Sequence, residues 1–215
     1  MSQLKLLQEL IFGFTVVRAG VFEAKKGSAY VELCGTKLVC VVDGPVEPDR
    51  SGGVDDEEGM VKVEVIGSSN LSQVLESALC SFVRLDRFPK AQINLDVIIL
   101  EDSATSLAAA LMASSVALCN AGIETYDICL ASHFWVSAEG ELLGSKLAPG
   151  DEYSSLTVAV LPSLNQMVCC EHQGIIEPSI LMKAVPSAIE KSLSNYSVVR
   201  RAIEAFSIPV NEKKS

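Results

Sequence analysis

An α/β fold of two similar layers, each a set of strands followed by helix, is the architecture this sequence predicts. Three observations predict it. Short runs of alternating or β-branched apolar residues fall at 28–42 and 61–65, and again at 128–136 and 156–170. Helical patterns follow each set, at 71–83 and in the small-residue run within 99–124 in the first half, and from about 179 to 206 in the second. No Pro-, Gly- or Ser-rich linker divides the halves, so 1–215 reads as a single domain.

Taken in order, residues 1–14 form a short amphipathic lead-in, with Leu4, Leu7 and Ile11 at helical spacing. "SAYVEL" and "KLVCVV" then flank Cys34, Gly35 and Thr36, a hairpin signal. The stretch "GPVEPDRSGGVDDEEG", 44–59, is rich in Gly, Pro and acids and reads as an exposed loop. Val61, Val63 and Val65 mark a third strand. Leu71, Val74, Leu75, Ala78, Leu79, Phe82 and Val83 make one continuous helical stripe, with Ser68, Ser69 or Asn70 available to cap it. "QINLDVIIL" is a buried strand. The helix after it is thin: Ala108, Ala109, Ala110, Ala113, Ser114, Ser115 and Ala117 give it little girth, so it belongs at the centre, between sheet and helix. Gly122 closes it. "ICLASHFWV", a turn near Glu139 and Gly140, "LTVAVLP" and "QMVCC" repeat the strand pattern, and Pro186 either kinks the last helical region or opens a second helix.

The bulk numbers bound the function. Apolar residues make up 49% of the chain and charged ones 20%, the balance of a packed globular protein. No apolar run reaches the roughly 18 residues of a membrane span, and Gln8 and Glu9 interrupt the N-terminal segment where a secretory signal would need an unbroken apolar stretch. Seven cysteines without a C-x-x-C pair read as reduced, buried thiols of a cytosolic or nuclear protein. A net charge of −10 argues against a surface that grips nucleic acid throughout.

Known chemical motifs are absent. His133 and His172 have no acid or Cys at ligand spacing, so no metal site is expected. There is no G-x-S-x-G elbow and no glycine-rich phosphate loop. The run from Asp55 to Glu58 reads as a solvated loop, because adjacent carboxylates repel one another. Lys25, Lys26, Arg84, Arg87 and Lys90 are modest basic spots on solvent faces. From the residues alone, the chain is an α/β domain with no visible active site.

Three stretches together nevertheless resemble the RNase PH family: "AGVFEAKKGSAYVELCGTKLVCVVDGP", "ILEDSATSLAAALMASSVALCNAGIETYD" and "LTVAVLPSLNQM". They are most similar to the members that build the ring of the eukaryotic RNA exosome. The resemblance spans about 16–206 and implies an RNase PH-like fold, with ribosomal protein S5 domain 2-like topology. Active members of the family degrade RNA from its 3′ end by phosphorolysis, which requires arginines for the RNA backbone, a helix N-terminus for phosphate, and acids.

This chain departs from that pattern. Ile66 and Gly67 stand where active members carry an arginine pair. Ser103, Ala104 and Thr105, beside Asp102, replace the glycine-rich acidic turn, and Leu107 replaces a basic residue. The acidic pair falls near Pro149 and Ser155, with Asp151 and Glu152 out of register. The resemblance therefore implies a catalytically silent ring subunit, with no catalytic residue, no metal and no cofactor. Its implied partners are other RNase PH-like subunits in a six-membered ring, RNA-binding cap proteins and RNA in the central pore; no membrane is involved. Arg50, in the 44–59 loop, is the one candidate for RNA contact at the pore. The implied locations are nucleus, nucleolus and cytoplasm. The alternatives are an active phosphorolytic exoribonuclease, resting on Asp102, Asp151 and Glu152, and a free-standing RNA-binding module.

Overall fold

The computed structural model describes residues 15–48, 58–67, 70–144 and 153–207. Strands β1 (Thr15–Ala19), β2 (Gly27–Leu33) and β3 (Thr36–Val46) form an antiparallel meander. The β2–β3 connection is the expected hairpin, with a two-residue turn; Thr36, read as part of the turn, already pairs with Leu33 as the first residue of β3. Cys34 and Gly35 both take positive φ, 47° and 95°, the conformation that matches the twist of the flanking strands. Strand β4 (Met60–Ile66) and helix α1 (Ser72–Phe82) follow, then a 3-10 turn (Leu85–Arg87) and strand β5 (Gln92–Glu101). β5 inserts between β3 and β4, giving the order β1-β2-β3-β5-β4, with β4 and β5 parallel. A parallel pair needs a crossover, and α1 supplies it.

Helix α2 (Ser106–Ala121) crosses the inner face of this sheet. The second sheet is built from β6 (Leu130–Val136), β7 (Leu142–Gly144), β8 (Ser154–Leu161) and β9 (Gln166–Gln173), in the order β7-β6-β8-β9. α2 packs on both sheets, so every residue from Ser106 to Leu118 is buried. It meets sheet and helix, as expected from sequence, and a second sheet besides: helix α1 and the C-terminal helix also touch it. Small side chains permit this. A Cβ on Gly27 of β2 would lie 2.3 Å from the Ala117 carbonyl oxygen and 2.6 Å from the Ala121 Cβ, a distance no side chain tolerates. One continuous apolar core joins residues of both halves. Helix α3 (Pro178–Ser192) covers β6 and β8, and α4 (Tyr196–Ser207) lies against β1 and α2.

Four expectations need correction. β3 runs through Gly44 and Pro45 to Val46, which pairs with Gln92, so the predicted loop begins later. The ladder shifts register between Asp43 and Val46, and a bulge is where a strand accepts proline. The N-cap of α1 is Leu71, with no side-chain cap bond; Ser68 and Ser69 lie outside the described residues. Of the two readings of Pro186, a kink or the start of a second helix, the second does not hold. The proline sits inside α3 on the exposed side, where water can reach the carbonyl that loses its partner, and the break comes at a 3-10 turn (Leu193–Asn195). Cys80 and Cys170 are exposed rather than buried, while burial pushes the Cys40 thiol up to about 12 and Cys169 to about 11. The lead-in 1–14 lies outside the described residues. Among those described, no helix is long and apolar enough to cross a membrane.

Candidate functional site

The N-terminal end of α2 opens into a cleft of about 550 Å³ between the two sheets. A helix N-terminus offers unpaired N–H groups and a positive dipole end, the usual place for an anion. Here the chain occupies that place with its own oxygens. Thr36 Oγ1, fully buried on β3, lies 2.6 Å from Ser103 Oγ, 2.8 Å from Thr105 Oγ1 and 3.2 Å from Ser106 Oγ. Thr105 donates to the Leu33 carbonyl at 2.7 Å, and the Ser103 N–H donates to Ser106 Oγ at 3.1 Å. Ser106 in turn donates to the Asp102 carboxylate. The hydroxyls are spent on one another, and the negative charge beside the helix end is the protein's own.

The opposite wall comes from the second sheet. His133 and Trp135 on β6, Thr157 on β8 and Glu171 on β9 face the cleft. Thr157 Oγ1 and His133 Nδ1 are 2.9 Å apart, and the two rings of His133 and Trp135 meet edge-on at 5.3 Å. Burial holds His133 down at about 4, so its imidazole is neutral at pH 7. Of the described residues lining the cleft, two are charged, Asp102 and Glu171, and both are acids; none is Lys or Arg. Its described lining presents carboxylates and a neutral ring to anything that enters.

Comparison with known proteins places this geometry. The family described as 3′ exoribonuclease, domain 1, matches residues 15–124. The chain belongs to the RNase PH family. Its relatives include the exosome complex component MTR3 of Homo sapiens, 32% identical over 186 residues, which are 70% of this chain and 66% of that protein. The exosome complex component ski6 of Schizosaccharomyces pombe is 26% identical over 209 residues, covering 89% and 86% of the two chains. Among solved structures, rice Rrp46 superposes with a TM-score of 0.78 at 18% identity, over 88% of this chain and 94% of that one. The Archaeoglobus fulgidus exosome with RNA bound to the active site gives 0.68 at 16% identity, over 87% and 88%. These two likenesses show that the fold is RNase PH-like. The chain spans about two thirds of the length of the human relative.

Ile66 ends β4 with half its surface exposed, and Gly67 takes φ 108° against Ile99, so neither brings a cation. Asp102, Ser103, Ala104 and Leu107 line the cleft, with Leu107 buried, and Ser155 reaches it from β8. Arg50, Pro149, Asp151, Glu152 and the run from Asp55 to Glu57 lie outside the described residues. The basic spots are elsewhere: Arg84 pairs with Asp86 at 2.7 Å over the Tyr126 ring, and Arg87 with Glu124 at 3.3 Å. Sequence reading missed the second wall, made by His133, Trp135, Thr157 and Glu171. The one signal for it was a histidine inside an otherwise apolar strand.

Proposed function

We propose that this chain is a non-catalytic structural subunit of an RNA exosome ring, supporting 3′–5′ RNA processing and degradation. The single observation that carries the reading is the cleft at the N-terminal end of α2, where hydroxyls close on one another, two carboxylates face the opening and no described lining residue is cationic. Each fixed donor missing from such a site removes about 3 kcal/mol of transition-state stabilisation, and several are missing together. The names of its relatives support the assembly: those from human and fission yeast are exosome complex components.

In this reading residues 1–215 form a single RNase PH-like domain that sits among other RNase PH-like subunits in a six-membered ring. RNA-binding cap proteins lie on one face and RNA passes through the pore, where Arg50 is the candidate contact. The assembly works in nucleus and cytoplasm, and its nuclease activity resides in other subunits. The rival, an active phosphorolytic exoribonuclease, draws on Asp102, which keeps an acid beside the helix end. Polyadenylate and inorganic phosphate decide between them. The purified chain releases no ADP above the buffer control, whereas sustained, phosphate-dependent ADP release establishes the rival.

A further inference from the structure

Val39 and Val41, on the central strand β3, are 8% and 6% exposed. Among the described residues they are the two buried apolar side chains that stand outside the continuous core. Alternation along β3 puts Leu38, Cys40 and Val42 on the inner side of the sheet, with α2, and Val39 and Val41 on the outer side. The strand register sets Val39 between Tyr30 and Ile98, and Val41 between Ser28 and Asp96. Flanking side chains shield a valine from the sides, and two as short as serine and aspartate leave its top open. Helices α1, α2 and α4 share the core on the inner side, so no described helix packs over the pair. The 20–26 turn reaches as far as Ser28, whose Oγ accepts the Phe22 N–H at 2.8 Å, and Phe22 itself stays 45% exposed. Burial of both valines calls for cover from above.

Arg18 and Lys62 share this outer face with Asp96 and Glu64, so charge of one sign does not select a partner from outside. The chain carries a suitable cover of its own. Residues 1–14 place Leu4, Leu7 and Ile11 on one helical stripe and bear one charged side chain of each sign, Lys5 and Glu9. They lead directly into Thr15 at the start of β1, an edge strand whose inner side is already taken by α2 and α4. A helix of that length runs about 21 Å. Three strand spacings come to about 14 Å, so the segment reaches from β1 across β2 and β3 to β5. The other segments fit less well: 49–57 holds a single aliphatic residue, Val54, and 208–215 follows α4 on the inner side. We propose that residues 1–14 lie as an amphipathic strap across the outer face of the five-stranded sheet, with Leu4, Leu7 and Ile11 over Val39 and Val41. The inference goes beyond the ring-subunit reading and does not depend on it.

The test uses the full chain. A Val39→Cys variant is treated with maleimide, and mass spectrometry reads labelling at that position apart from the native cysteines. Labelling is slow in the full chain and becomes at least tenfold faster when Leu4→Asp, Leu7→Asp and Ile11→Asp are added, with circular dichroism unchanged. In the wild type, a short amine cross-linker joins Lys5 to Lys37 or Lys62 within one chain, at dilutions where sedimentation shows a monomer. Fast labelling of Val39→Cys in the otherwise unaltered chain means that the face is open, and overturns the proposal. So does slow labelling that the three aspartates leave within twofold, because the flanking side chains then bury the valine unaided. Protection that vanishes on dilution marks a second copy as the cover and overturns it too. Where the aspartate variant fails to fold, the cross-link decides, and its absence sinks the strap. None of these outcomes bears on the ring-subunit reading, which the phosphorolysis assay tests.

Discussion

The two ends of α2 are built from the same small residues and behave differently. Along its body and C-terminal end, smallness serves packing. Gly27 admits the Ala117 carbonyl, Asn120 Oδ1 accepts the Ser28 N–H at 2.8 Å, and Gly122 closes the helix in the left-handed conformation. At the N-terminal end, smallness comes with hydroxyls, and these bond to one another and to Asp102 instead of waiting for a ligand. The difference teaches that a packing scaffold and the polar groups at its helix end are separable. Packing at the body holds the two sheets together and tolerates little change. Cationic groups in a cleft do nothing for folding, so their absence leaves the fold intact.

That contrast can be broken at its strong end first. Gly27→Ala places a Cβ against the Ala117 carbonyl and lowers stability by about 3 kcal/mol, read as a drop in urea midpoint. Next comes the cleft wall. Because burial lowers the folded-state value of His133 to about 4 against an unfolded value near 6.5, the unfolded chain binds the extra proton between them. Stability from this residue is whole above about pH 6.5 and falls as pH drops toward 4. Between pH 7 and pH 5 that loss is about 2 kcal/mol, and His133→Gln removes it, flattening the acid limb of chemical denaturation curves. The smallest effect is at the N-terminal end. Thr36→Val leaves the hydroxyls of Ser103, Thr105 and Ser106 without their common partner and costs about 1–2 kcal/mol. A Thr36→Val loss as large as that of Gly27→Ala would show that the hydroxyl cluster, too, is a structural keystone, and would erase the contrast between the ends.

Much of this was readable in advance because it is local. The Cys34–Gly35 hairpin depends on two adjacent residues, the α1 stripe on a repeat of three and four, and the central place of α2 on a run of alanines and serines. The RNase PH resemblance added the position of the missing charges, and Ile66, Gly67 and Leu107 hold none in the structure. Other features depend on partners far along the chain. That β3 continues to Val46 follows from its pairing with Gln92, and the tolerance of α3 for Pro186 follows from which side faces water.

The sequence by itself determined the two-layer α/β plan, the thin central helix and the lack of Lys or Arg in the run 102–107 that leads into it, since periodicity, side-chain volume and charge are properties of neighbouring residues. Tertiary structure alone decided that β5 would separate β3 from β4 and that His133, Thr157 and Glu171 would close the cleft opposite Asp102. Strand order and cleft walls arise from contacts between residues tens of positions apart, and no local pattern encodes which distant strands will meet.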